Sequence, residues 1–279
     1  MIKRLNQIRH DMKRLIINAD DFGLCAAVNR GIVRAFENGI VTRTSLLING
    51  PAADHACGLV RSSGITVGLH WNLTDGFPML PSRTVSSLVD RQGRFVGVWR
   101  LVRRAWAGEL NPREIAAELR EQLRRFEDRL GRPNHFDSHR HIHTLPMISS
   151  GVRQVTGEQP QNGLRLFSRP FGLERTRGLV DAAVIYSQAR YSKMTTRTTS
   201  FQGFSLMYAA DKAAALTAVL CSLPEGLTEL MCHPAENGFD FNWANRYMSD
   251  RVAEYQALIS PEIQRFVEEK QIQLQNLAC

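Results

Sequence analysis

Leu15-Ile16-Ile17-Asn18-Ala19-Asp20-Asp21-Phe22-Gly23 begins as an apolar run and ends on two adjacent carboxylates. Residues 15–18 read as a short buried strand, since an unbroken apolar run of this length suits a strand covered on both faces. Val28, Ile32, Ala35 and Phe36 follow at helical spacing, and Gly39 supplies a stop. A strand that delivers polar groups to a turn and then feeds a helix is the unit of a parallel α/β sheet. The pattern recurs. Residues 44–48 and 65–69 read as strands, the latter ending in His70-Trp71-Asn72-Leu73-Thr74. Residues 134–137 read as another, residues 164–167 as a candidate that carries Arg165, and residues 227–231 as a strand ending in Cys232-His233-Pro234. Between them, Pro51 can open a helix through Arg61. Asn111-Pro112-Arg113-Glu114 has the form of a capped helix start, continued to Gly131. Residues 211–223 form a helix rich in Ala and Leu, and two further helices are expected to close the chain. Residues 75–97, rich in Gly, Pro and Ser, read as an active-site loop or small insertion.

Residues 135–146 read His-Phe-Asp-Ser-His-Arg-His-Ile-His-Thr-Leu-Pro. In an extended segment, alternate side chains share one face, so Asp137, His139, His141 and His143 are expected to point the same way. Imidazole with carboxylate is the usual ligand set of a divalent transition metal. A solvated loop with a chance histidine run is the competing reading, and four alternating groups favour the site. Asp20 and Asp21, His70, Asp137 to His143, and His233 all lie just beyond apolar runs. Ligands of barrels and open α/β sheets gather at the carboxyl ends of strands, so these segments are expected to converge.

Two adjacent aspartates cannot both enter one site from a regular strand. At a strand-to-loop turn one can hold metal while the other handles a proton. Such a metal polarises a carbonyl and acidifies water, and a nearby carboxylate can accept the proton. No Gly-rich phosphate loop, nucleophile elbow or dinucleotide fingerprint competes. Metal-assisted hydrolysis is the class these residues support.

A chain of 279 residues allows one large α/β domain, such as a barrel, or two smaller ones, so length does not force a split. The net charge of +8 is concentrated in a basic arm at residues 1–13 and in residues 91–132. In the second region Glu109, Glu114, Glu118, Glu121 and Glu127 interleave with arginine, as on a solvated helix face, so no nucleic-acid partner is expected. No apolar run approaches the ~18 residues of a membrane span, and no signal-peptide pattern is visible. The five cysteines, odd in number and without a Cys-x-x-Cys pair, fit reduced thiols and a cytoplasmic location.

Asn18-Ala19-Asp20-Asp21-Phe22-Gly23, Gly68-Leu69-His70-Trp71-Asn72-Leu73-Thr74, Asp137-Ser138-His139-x-His141-x-His143 and Glu229-Leu230-Met231-Cys232-His233-Pro234 together resemble the YdjC-like carbohydrate deacetylases. That family includes chitooligosaccharide deacetylases and a hopanoid-biosynthesis branch. Asn49-Gly50-Pro51-Ala52, Ser87-Leu88-Val89-Asp90 and Thr198-Thr199-Ser200-Phe201-Gln202-Gly203-Phe204 also resemble family segments. The match runs in order from about residue 14 to about residue 270.

The resemblance implies a single-domain α/β fold over residues 14–279, a distorted TIM-like (β/α) barrel. It implies removal of acetyl groups from N-acetylated amino sugars or oligosaccharides. Carried across, Asp21, His70 and His139 would hold one divalent metal ion, with Asp20 as general base. His233 would be an acid or transition-state stabiliser near the leaving amine. Asp137, His141 and His143 would orient ligands or touch substrate. Arg165 would contact substrate or pair with a carboxylate, and Trp71 would stack on a sugar or fill the barrel mouth. His135 reads as a loop or core histidine. Zinc suits an Asp-His-His set, with magnesium, manganese and cobalt open. The Asp-Ser-His stretch sets the chain nearer the oligosaccharide-type members than the hopanoid branch. Residues 80–104 should border the sugar but carry no feature that names a glycan. The partner expected is the acetylated sugar, with a homodimer as candidate assembly. Rival readings are a barrel phosphoesterase or cyclic amidase, and a non-catalytic carbohydrate-binding relative. The first lacks basic clamps, Arg140 alone lying within the histidine stretch, and the second has no use for paired aspartates.

Overall fold

The computed structural model describes residues 12–157, 165, 200–238 and 248–276. Seven strands form one sheet: β1 (Lys13–Phe22), β2 (Arg43–Leu46), β3 (Thr66–Trp71), β4 (Phe136–Ser138), β5 (Ser200–Gln202), β6 (Gly226–Cys232) and β7 (Gln273–Leu274). The order is β4-β3-β2-β1-β6-β5 and every pairing is parallel. Taken as a ring, this order runs consecutively from β1 to β6 and back to β1. That is barrel connectivity, because an open doubly wound sheet would reverse its order at a switch point. The sheet therefore curls into a distorted, partial TIM-like barrel. β1 is long enough to serve two neighbours on one edge: Arg14 and Leu15 pair with β7, and Asn18 to Phe22 with β2.

Nine helices among the described residues dress the sheet. They are α1 (Ala26–Asn38), α2 (Ala53–Ser63), α3 (Val98–Trp106), α4 (Pro112–Leu130), α5 (Pro146–Thr156), α6 (Phe204–Tyr208), α7 (Lys212–Cys221), α8 (Met248–Leu258) and α9 (Pro261–Glu269). Alternation along β1 divides the interior. Leu15, Ile17 and Ala19 join the main core, whereas Ile16 meets Leu227 in a separate apolar cluster. Asn18 and Asp20, next on the Ile16 face, are fully or almost fully buried. That face changes from apolar to polar towards the carboxyl ends of the strands. His135 also lies inside: a Cβ on Gly68 would come within 2.5 Å of its ring, so Gly68 leaves the space the imidazole fills.

Several expectations change. The Asn111 side chain caps α4 by accepting from Arg113 N at 3.0 Å, but Glu114 takes only the Asn111 side-chain amide, at 3.3 Å, and the Asn111 backbone N–H goes to Ser87 Oγ. The other Glu114 oxygen accepts Ser87 N at 2.7 Å and ties down the preceding loop. The helix expected from Pro51 begins at Ala53, behind Ala52. α3, α5 and α6 and the short strands β5 and β7 lie where no element is expected from the sequence. The histidine run does not stay extended: β4 ends at Ser138, and Arg140 and His141 take φ of 55° and 54°. The Ser138 hydroxyl accepts His143 N at 2.9 Å, closing a turn that ends the alternation. Most of the basic arm and most of residues 164–167 lie outside the described residues. Cys25, Cys57, Cys221 and Cys232 are free thiols. No helix of the described residues is long and apolar enough to cross a membrane.

Candidate active site

The parallel sheet brings the carboxyl ends of β1, β3, β4 and β6 to one rim, where Asp20, Asp21, His70, His139 and His233 are delivered. The two aspartates diverge because the β1–β2 register breaks between Ala19 and Phe22 and Asp21 adopts φ 69°. Aspartate is among the few L residues that enter this left-handed region at modest cost. One carboxylate therefore stays on the inward face of the strand while the next turns onto the rim.

Asp21 Oδ1 lies 2.7 Å from His139 Nδ1 and 3.4 Å from His70 Nε2. Ligand atoms of these three residues fall within 4.8 Å of one another. Each imidazole is oriented from behind. His70 Nδ1 meets Asp137 Oδ1 at 2.5 Å, and His139 Nε2 lies 3.2 Å from Asp75 Oδ2. Such carboxylate–histidine pairs fix the nitrogen that faces a metal. Burial opposes charge on His70, yet Asp137, Asp21 and Asp20 raise its pKa to about 10. Burial likewise opposes ionisation of Asp21, but His139, Arg251 and His70 hold its carboxyl well below the usual range.

Asp20, His70 and Asp137 form a second group of the same span. Asp20 is gripped by Arg165 through both oxygens, at 2.6 and 2.7 Å, and Asp137 Oδ2 accepts from Ser45 and lies 2.9 Å from Arg165 Nη2. A cation there would adjoin a guanidinium and face oxygens already in use. The donor set of Asp21, His70 and His139 fits a divalent ion and this second set does not.

Arg165 also pairs with Glu229 at 2.6 Å, and Glu229 with Arg43 at 3.1 Å. The residue sits inside the barrel wall, with its backbone N–H donating to Phe136 O. His143 holds it there. Its Nε2 donates to the Arg165 carbonyl at 2.9 Å, so Nδ1 accepts from Ser138 Oγ at 2.6 Å. Burial lowers its pKa to about 4, matching a neutral ring in this role. His141 packs edge-on to Phe201 and Phe204. Trp71 is fully buried, stacked on Phe136 with Nε1 bonded to Leu119 O, and presents no face to solvent. His135 is the interior histidine already described.

His233 N donates to Glu254 Oε2 on α8 at 2.6 Å, and burial with the nearby Arg251 lowers the His233 pKa to about 4. Beside His139 opens a cleft of about 270 Å³, lined by Leu24, Leu47, Asn49, Asn72 and Phe77 among others. Asn49 donates to the Phe77 carbonyl, and Phe77 stands 59% exposed at the edge.

Two site residues escaped the sequence reading. Arg251 reaches Asp21 Oδ2 through Nη2 from α8, far from any motif. Asp75, paired with His139 and Arg140, opens a loop whose composition carries no chemical signal. Glu229 and Asn18 were visible as motif residues, but their places in the ion network were not.

Comparison with known proteins agrees with this geometry. Residues 14–269 match the family model described as YdjC-like protein. A carbohydrate deacetylase of Mus musculus is 34% identical over 94% of this chain and 93% of its own length. A chitooligosaccharide deacetylase of Serratia marcescens is 35% identical over 92% of this chain and 95% of its own. A solved structure from Enterococcus faecalis V583, described as a putative cellobiose-phosphate cleavage protein, superposes with a TM-score of 0.76. It is 26% identical and covers 95% of this chain and 97% of that one. With the family model spanning nearly the whole chain and two relatives matched almost end to end, the chain belongs to the YdjC-like family.

Proposed function

We propose that the protein is a metal-dependent carbohydrate deacetylase that hydrolyses the N-acetyl group of an amino sugar or oligosaccharide. The observation that carries this reading is the convergence of Asp21 with the His70 and His139 imidazoles beside a separately held Asp20. The names of the relatives supply the substrate class. Asp21, His70 and His139 would hold a divalent ion, zinc or magnesium, which supplies Lewis acidity towards the acetyl carbonyl and water.

The remaining work falls to the chain's own groups. Asp20 Oδ1 accepts from both Asn18 Nδ2 and Arg165 Nη2, whereas Oδ2 accepts only Arg165 Nη1 among the described residues. Oδ2 therefore keeps a lone pair and is the atom that takes the proton of the attacking water. Arg165 acts by orienting that carboxylate. With a pKa of about 4, His233 is neutral near pH 7, so it serves as an N–H donor to charge developing on the substrate. Asp137 and Asp75 hold the ligand imidazoles in register. The cleft beside His139 receives the sugar, with Phe77 as the exposed ring against which a pyranose face packs. Location in the cytoplasm and a homodimeric assembly remain part of this reading.

The test is release of acetate against phosphate from N-acetylated and phosphorylated sugars, with the protein stripped by chelator and reloaded metal by metal. Acetate release that vanishes on stripping and returns with one divalent ion is expected. Phosphate release, or acetate release indifferent to chelation, would reject the reading.

A further inference from the structure

Arg251 has been given no part in this chemistry. It lies on α8, and its Nη2 holds Asp21 Oδ2. Its Nη1 is buried and has no hydrogen-bond partner among the described residues. The residue is also fixed from behind. Ala235 N donates to the Arg251 carbonyl at 3.2 Å, and Glu254, one turn further along α8, accepts His233 N. The loop that carries His233 thus clamps the helix that carries Arg251. A guanidinium is a rigid planar fork, so fixing Nη2 on Asp21 also fixes Nη1 beside the same carboxylate. Buried donors in folded proteins are paired, and a charged one left open beside a reactive centre calls for an acceptor that arrives with the ligand.

The Proposed function, on which this step rests, identifies the acceptor by its chemistry. Amide hydrolysis turns a neutral acetyl group into a carboxylate. We infer that Arg251 is the anion-binding arm of the site: Nη2 keeps Asp21 in place while Nη1 receives the carboxylate formed from the acyl group. A neutral acetyl group would gain much less from that donor than the negative charge that replaces it, so the arm favours charged states over the bound substrate.

The experiment is calorimetric titration of the metal-loaded full chain with acetate and, as a neutral isostere, acetamide. It compares the parent with Arg251→Lys and Arg251→Met, with metal content measured for each. Acetate affinity should fall at least about tenfold in Arg251→Met and less in Arg251→Lys, with metal retained and acetamide binding unchanged. Undetectable acetate binding to the parent, or parent-like affinity in Arg251→Met, would overturn the inference. Should Arg251→Met shed its metal, Arg251→Lys decides, since it keeps a cation beside Asp21 but has no fork. Parent-like acetate affinity there overturns the inference, and a clear fall upholds it. Arg251-dependent acetate binding by a parent that releases acetate from no N-acetylated sugar would reject the Proposed function instead.

Discussion

Asp20 and Asp21 are neighbours in sequence with different surroundings, and the left-handed backbone at Asp21 separates them. Asp20→Asn should retain metal and lose about 10²–10⁴-fold in turnover, the usual effect of removing a general base. Asp21→Asn should instead weaken metal binding, so its activity should recover in part at high metal concentration. Turnover measured against added metal for both variants distinguishes them, and rescue of the Asp20 variant would exchange the two roles. The rim residues were legible because each lies just past an apolar run, where strand-end geometry makes a polar group informative. Arg251 and Asp75 were not, since one sits on an ordinary amphipathic helix and the other in a loop. Their meaning comes only from contacts made across 230 and 64 positions of chain, to Asp21 and His139.

At the scale of elements, β1 to β4 and β6 were readable from their apolar runs, the two short strands β5 and β7 were not, and the histidine run was the main misreading. Its alternation was real in sequence, but Ser138 turned the chain, so the four groups took four environments. Asp137 stays in the strand, His139 reaches the rim, His141 joins an aromatic cluster and His143 ties down Arg165. The β3–β4 pair has its own constraint. Gly68→Ala should destabilise by roughly 1–3 kcal/mol through overpacking against His135, and by less in a His135→Ala background. Urea unfolding of the two singles and the double measures this, and additive losses would show that the ring is not what excludes the methyl. A second test concerns α8. Burial raises the Glu254 pKa from 4.5 to about 6, so the folded state prefers the protonated acid. The associated stability is fully present below about pH 4.5 and is lost as pH rises through 6, a span of roughly 2 kcal/mol. Glu254→Gln lacks that loss, so its stability relative to the parent should increase across this window. A difference flat with pH would contradict the assignment.

At the scale of the whole molecule, the barrel is plugged at its base by Ile16 and Leu227 but filled above by buried charged side chains. Arg43, Glu229, Arg165, Asp20 and Asp137 form one buried network that joins β1, β2, β4 and β6. The sequence shows Asp20, Asp137 and Glu229 as isolated motif letters and gives Arg43 no signal at all, because a network closed across a curled sheet has no local spacing. Arg165 is its centre, facing three carboxylates. Arg165→Met keeps much of the volume and leaves those carboxylates short of a partner. Removing one member of a buried ion pair typically costs about 3–5 kcal/mol, the scale expected here. The pH dependence gives the sign. Burial opposes ionisation of Asp137, but Arg165 and His70 hold its folded pKa well below 3.8. That stabilisation is present above the unfolded value and lost as pH falls through the folded one. The parent's advantage over Arg165→Met should therefore be largest above about pH 5 and shrink below about pH 4, as the carboxylates of the variant take up protons. Urea midpoints of both proteins from pH 3 to 8 test this. A loss below about 1 kcal/mol at neutral pH, or one that does not diminish in acid, would mean that the barrel does not depend on this guanidinium.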